Sequence, residues 1–340
     1  MWVLSILVGI GALVLLVRRA PKVAAEIGLG RIGTGIVLAM LTLTTLWFAA
    51  LPFTIASSWW ERRHGLARSS VGEWVLVPWV QLIGQVLFAL IVVAVVLALA
   101  GRFPRRWWIP AAGAFTALAL LFSFVLPYVE TLGTHRLRKP ELRAAVRTLE
   151  QREGVRGTPV LVDDVSHTTT QANAMSEGIG PSRRVFLWNT LLDGRFGVDE
   201  VRVVIGHELA HTARRHIWKG VAWFGIFALP IGFVIAEVTR RRGGLRDPAL
   251  VPLAALASTV IGVFATPAEN VISRRYEAEA DWIALQSTHT PAAARRLFAR
   301  FARTSLQQPN PPTWDYVMLE THPTIMQRIA MTKVWRARRR

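Results

Sequence analysis

The sequence predicts a mainly α protein, a polytopic helical membrane protein that carries a small α+β unit, and three observations support this. Of 340 residues, 52% are hydrophobic and only 18% charged, with a positive mean hydropathy, a balance typical of membrane proteins rather than of two soluble domains. Six apolar runs, at about 2–17, 34–56, 74–101, 107–129, 218–238 and 248–269, are long enough or nearly so to cross a hydrocarbon core of roughly 30 Å. Between the fourth and fifth runs lies one long polar stretch, about 130–217, in which helical and strand periodicities alternate.

The first run is the shortest. It lacks a basic segment ahead of it, and Val17-Arg18-Arg19-Ala20-Pro21 offers no clear cleavage site, so a signal anchor is expected. Arginine pairs and triplets at 18–19, 62–63, 105–106, 240–242 and 338–340 flank the apolar runs, so the formal charge of +18 points to the lipid bilayer and away from nucleic acid. Trp107-Trp108 beside Arg105-Arg106 suits an interfacial belt. Loops on both sides are basic, so charge alone does not orient the chain. The absence of cysteine excludes disulfides, thiolate metal sites and a cysteine nucleophile. Any metal must be held by histidine and carboxylate.

In the polar stretch, Leu142, Ala145, Val146 and Leu149 recur at i, i+3, i+4 and i+7, which predicts an amphipathic helix. Pro159–Asp163, the region around 171–174 and Arg184–Trp188 read as short strands, the last two separated by a turn at Gly178–Ser182. Runs five and six form a hairpin through 240–247 that returns the chain to the same membrane side. Pro291 opens a further helix, and Gln308–Pro312 marks a loop. The expected organisation is a membrane region at 1–130, an α+β unit at 131–217, a membrane hairpin at 218–270 and a helical region at 271–340.

The chemistry resides in His207-Glu208-Leu209-Ala210-His211. On a helix, residues four apart share a face, so both imidazoles can bind one Zn²⁺ while Glu208 reaches the water that the metal activates. Asp199 and Glu200 precede an apolar stripe, as expected where a helix begins. A catalytic zinc usually takes three protein ligands, and the best third candidate is Glu277 in Ser273–Asp281. Asp281 shares its face and is expected to orient a ligand imidazole, whereas Glu279 falls about 200° around the helix. Taken alone, Glu277 and Asp281 would suit an ordinary solvated face; the upstream motif decides for the metal. His216, five residues after His211, is expected to point off the metal face, and His135, His167 and His289 to lie in loops or at the surface.

Several motifs occur in order: Leu51-Pro52-Phe53, Trp60-Glu61 with His64-Gly65-Leu66, Pro127, Asn173-Ala174 with Gly178, Val185–Leu192, Asp199-Glu200, His207–His211, Ser273-Arg274 with Glu277 and Asp281, and His322-Pro323 with Arg328. From about 35 to about 330 the chain resembles the membrane-embedded gluzincin family that contains the type I CAAX prenyl endopeptidases, with HtpX-type quality-control proteases as more distant relatives. The resemblance implies a zincin-type catalytic unit, one Zn²⁺ per chain, and peptide-bond hydrolysis at the membrane surface with the site facing the cytosol. The implied partners are the bilayer and a peptide or protein substrate, membrane-associated or prenylated. Asn173-Ala174 would hold an extended substrate by strand addition; a turn asparagine is the alternative. His322 would sit near the scissile bond as a donor to the oxyanion or to a substrate carboxylate, and Arg328 would bind substrate or pair with an acidic site residue, against plain surface roles for both. Eukaryotic type I CAAX proteases have seven spans, one more than the six read here. Clipping of misfolded membrane proteins is the nearest alternative function. A non-catalytic membrane scaffold is another, disfavoured because every expected metal and base residue is present. Nothing in the sequence indicates an oligomeric state.

Overall fold

The computed structural model describes residues 1–69 and 71–338 and, within that range, every side chain except those of 71–82 and 85. Four long helices come first: α1 (Trp2–Ile27), α2 (Arg31–Arg63), α3 (Val71–Arg102) and α4 (Trp108–Glu130). A mixed segment follows, with β1 (His135–Arg136), α5 (Pro140–Glu153), β2 (Val160–Asp163), β3 (Ala174–Glu177) and β4 (Arg184–Trp188). The chain continues through α6 (Val198–Ala213), α7 (His216–Arg240), α8 (Val251–Thr288), α9 (Pro291–Thr304), α10 (Thr313–Met318) and α11 (Ile325–Ala337).

Among the described residues, five segments are long and apolar enough to cross a membrane: Trp2–Ile27, Arg31–Arg63, Trp108–Glu130, His216–Arg240 and Pro248–Thr288. The expected third span, 74–101, falls on α3, where several side chains lie outside the described residues and Val86–Arg102 is a shorter apolar stretch. α1 runs past its expected end at 17 because the residues that follow the apolar run include good helix formers; Gly28 stops it with φ 65°. The helix does not stop where the sixth apolar run ends near 269; α8 carries on as one helix into the second metal motif.

The chain forms two compact units. One comprises residues 1–64, 69–118 and 222–265. Its packing uses small residues: a Cβ at Gly35 would run into the end of the Leu97 side chain, so glycine lets α2 approach α3 without displacing that leucine. Ala20, Leu38, Ala39, Leu97 and Val251 form one buried cluster, and Ala100, Trp107, Ala111, Leu245, Leu250 and Leu253 another.

The second unit comprises residues 65–68, 119–221 and 266–340. Its sheet has the order β1-β2-β4-β3, with β2 and β4 parallel and the outer pairs antiparallel. β1 is two exposed residues long and has no periodicity for a sequence to show. β3 begins at Ala174 rather than 171 because the preceding threonines pair elsewhere: Thr170 N–H donates to Leu66 O at 3.0 Å, and Thr169 bridges Ala67. The core includes Leu149, Val162, Leu187, Ile205, Leu209, Leu285, Leu297 and Phe298. Each such side chain contributes about 1.5–3 kcal/mol over its exposed state, which fixes the rotation of α6. With Ile205 and Leu209 fully buried, His207 and His211, each two residues on, face about 200° away from that stripe.

Candidate metal centre

α6 starts with Gly197 N–H donating to the Glu200 carboxylate at 2.7 Å, which satisfies one of the helix's unpaired amides. Its later turns present His207, Glu208 and His211. α8 supplies the opposing wall, and Gly206 lets it come close: a Cβ there would meet Ser287 Oγ at 3.2 Å and Thr288 Cγ2 at 3.3 Å. The first two ligand candidates and the third thus sit on two directly packed helices, the second of which is a continuous extension of a membrane span.

His207 Nε2 lies 3.1 Å from His211 Nε2 and 3.1 Å from Glu277 Oε2, and His211 Nε2 lies 3.5 Å from Glu277 Oε1. One donor atom from each of the three falls within 4.8 Å of the others. Two imidazole nitrogens and a carboxylate oxygen converging in this way fit a tetrahedral zinc site with a fourth position left open. Burial opposes a charge on His207, but the hydrogen bonds and charges of Asp281 and Glu277 outweigh it and push the ring up to about 10. The carboxylates therefore make this a point in the fold that attracts positive charge. Glu208 is buried beside His207.

Further side chains bond to these candidate ligands. Asp281 Oδ1 accepts from His207 Nδ1 at 2.9 Å, which leaves Nε2 to face the cluster. Arg328 donates to both oxygens of Asp281, through Nε at 2.7 Å and Nη2 at 2.6 Å, and its guanidinium lies over the Phe298 ring. Of its two expected roles, the structure brings Arg328 to the acidic site residue. His322 Nε2 lies 3.1 Å from Glu277 Oε2, and its side chain is 46% exposed, so it forms a solvent-facing rim of the cluster.

Asn173 and Ala174 sit at the start of β3, the edge strand of the sheet. Asn173 O accepts from Trp188 N–H at 3.0 Å, which ties it to β4. Ser176 Oγ and Thr212 Oγ1, 2.9 Å apart, join this strand to the end of the metal helix. Among the described residues no strand covers the other edge of β3. His135 lies in β1, His289 in the turn after α8, and His64 caps α2 through Nδ1 on Trp60 O.

One residue read as lying off the metal face, His216, packs against a candidate ligand from behind. α6 ends at Ala213 and α7 begins at His216; Arg215 between them has φ 55°, so the helix breaks and its phase is lost. His216 Nδ1 then lies 3.0 Å from His211 Nδ1, and its Nε2 lies 3.1 Å from Glu279 Oε2. His216 thus lies outside the three-residue cluster, on the far side of the His211 ring, and with no glycine or proline to mark the break helical spacing gave no sign of this contact.

The profile of peptidase family M48 matches residues 136–336, which contain His207, Glu208, His211, Glu277, Asp281, His322 and Arg328. The chain is 28% identical over 241 residues to a Bacillus subtilis metalloprotease, YhfN, covering 67% of this chain and 56% of that one. It is 24% identical over 311 residues to a CAAX prenyl protease 1 homolog of Oryza sativa subsp. japonica, covering 86% of this chain and 72% of the relative. The crystal structure of Ste24p from S. mikatae shares the fold with a TM-score of 0.76 at 19% identity, over 93% of this chain and 79% of that one. The chain belongs to peptidase family M48 and is a multi-pass membrane metallopeptidase of that family.

Proposed function

We propose that this protein is a zinc-dependent endopeptidase that hydrolyses peptide bonds of membrane-associated substrates. The observation that carries the reading is the convergence of His207, His211 and Glu277, with Glu208 buried next to the first ligand. Zinc bound by these three residues would supply a water of pKa lowered towards about 7 and a Lewis acid for the scissile carbonyl. Glu208 would act as the general base, taking a proton from the attacking water and delivering it to the leaving amine. Asp281 holds His207 in the tautomer that presents Nε2, and Arg328 keeps Asp281 in place. His322, at the exposed rim, donates to the developing oxyanion. The open edge at Asn173 and Ala174 pairs with an extended substrate by strand addition, which aligns a peptide bond without reading its sequence.

The finer reading is that the substrates are prenylated CAAX-type proteins. It is supported by the likeness to a CAAX prenyl protease 1 homolog along 86% of this chain. In this reading the site faces the cytosol. Identification of peptides cleaved in membranes that contain the parent or the Glu208→Gln form tests activity and substrate class together. Competition between prenylated and plain peptides then decides: equal use of both would overturn the prenyl-specific reading in favour of general clipping of membrane proteins. Since the chain has no cysteine, single cysteines introduced beside the site report its side by labelling with a membrane-impermeant reagent. Labelling from outside intact cells would overturn the cytosolic assignment.

A further inference from the structure

We propose that His216 and Glu279 form a positioning line for the metal ligand His211, setting its tautomer and ring angle as Asp281 does for His207. The proposal rests on the zinc reading above and extends it to residues outside the ligand motif. His211 turns Nε2 towards His207 and Glu277, so as a neutral ligand it carries its proton on Nδ1. That nitrogen lies 3.0 Å from His216 Nδ1. Two ring nitrogens at this distance need one donor and one acceptor. With His211 donating, His216 accepts at Nδ1 and keeps its own proton on Nε2.

Glu279 is placed to enforce that choice, since its Oε2 lies 3.1 Å from His216 Nε2. The carboxylate is held in turn by Arg214 at 2.5 Å and by Lys219 Nζ at 3.8 Å. Each proton along the line therefore has an acceptor, from His211 to His216 and from His216 to Glu279. The ring is fixed in angle as well: His216 is only 5% exposed and stacks on Tyr276 with centroids 4.5 Å apart and planes 15° apart. A buried imidazole with both nitrogens engaged and its face packed is suited to control the tautomer of a neighbouring ligand.

The line joins three elements. His211 closes α6, His216 opens α7 and Glu279 lies on α8 beyond Glu277. Each of the two histidine ligands thus has its second nitrogen bonded to a group outside the ligand set, Asp281 for one and His216 for the other.

The test uses the full-length, detergent-solubilised chain. Zinc affinity is read by competition with a chromophoric chelator, and ligand geometry by the visible absorption of the cobalt(II)-substituted protein. His216→Phe keeps the stack on Tyr276 but removes the acceptor; His216→Asn keeps an acceptor near Nδ1 but loses the ring. The expected result is a zinc affinity roughly 10–100-fold weaker and shifted cobalt bands for His216→Phe, with affinity largely recovered in His216→Asn. Glu279→Leu, a partly exposed position, should weaken zinc binding where Glu279→Gln does not. Parent-like affinity and spectrum in both His216→Phe and Glu279→Leu, or a weaker site in His216→Asn than in His216→Phe, would overturn the proposal and leave a packing role. A parent chain that binds no zinc would instead overturn the zinc reading itself, and this line with it.

Discussion

Replacing Arg328 with methionine removes a guanidinium that donates to both oxygens of Asp281, at 2.7 and 2.6 Å, while keeping apolar bulk against Phe298. Asp281 is only 3% exposed and would keep His207 as its remaining partner. Leaving one member of a buried ion pair without its mate costs about 3–5 kcal/mol. At roughly 2–4 °C per kcal/mol for a folding unit of 150–250 residues, the metal-free melting temperature should fall by about 6–20 °C. Zinc at about 100 times its Kd should restore up to ~2.7 kcal/mol of this, because it binds the folded site alone. The assay is thermal unfolding in detergent with and without zinc. Arg240→Met provides the control, since it breaks the exposed pair with Glu237 and should leave melting unchanged. A melting temperature for Arg328→Met within about 2 °C of the parent's would refute the reasoning that Asp281 depends on this arginine.

Glu277→Ala should lose bound zinc on metal analysis, whereas Glu279→Ala should retain it at saturating metal, with lowered affinity; the opposite pattern would show that the other face of α8 meets the metal. His322→Ala should lower kcat by about 10²–10³ with little change in KM, since its donor acts on the developing oxyanion, and steady-state kinetics in which only KM moves would remove it from that role. Burial and the adjacent Glu130 carboxyl push Glu177 up to about 8. Its folded pKa lies above its unfolded value, so this contribution to stability is fully present below about pH 4.5 and is lost as pH rises through about 8. Melting curves of Glu177→Gln should therefore gain on the parent at pH 8 and match it at pH 5, and a gain independent of pH would refute the assignment.

Much of this site could be read from spacing because each inference relied on a single unbroken helix. His207, Glu208 and His211 occupy one helix, as do Glu277 and Asp281, and 100° per residue was enough to assign their faces. The structure pairs Asp281 with His207 as that geometry requires. The contact of His216 with His211 could not be foreseen, because Arg215 adopts a left-handed conformation between α6 and α7, which resets the phase. Glu279 was read correctly as facing away from the metal, but its link to His211 runs through His216 and could not be inferred without it. The apolar spans were legible from hydropathy, while the length of the last helix was not: polar helix formers continue α8 beyond the apolar run without a boundary residue. The strands at 160–163 and 184–188 followed from their β-branched and aromatic content. The two-residue β1 carries no local signal and exists only through its pairing with β2.

The most direct test of the central claim compares the parent with Glu208→Gln in lipid vesicles, measuring zinc per chain and peptide cleavage by mass spectrometry on the same samples. Zinc ligation by His207, His211 and Glu277 with Glu208 as the base predicts equal zinc in both proteins, cleavage by the parent, and a rate lower by about 10²–10⁴ in the variant. Parent-like cleavage by zinc-loaded Glu208→Gln would contradict it.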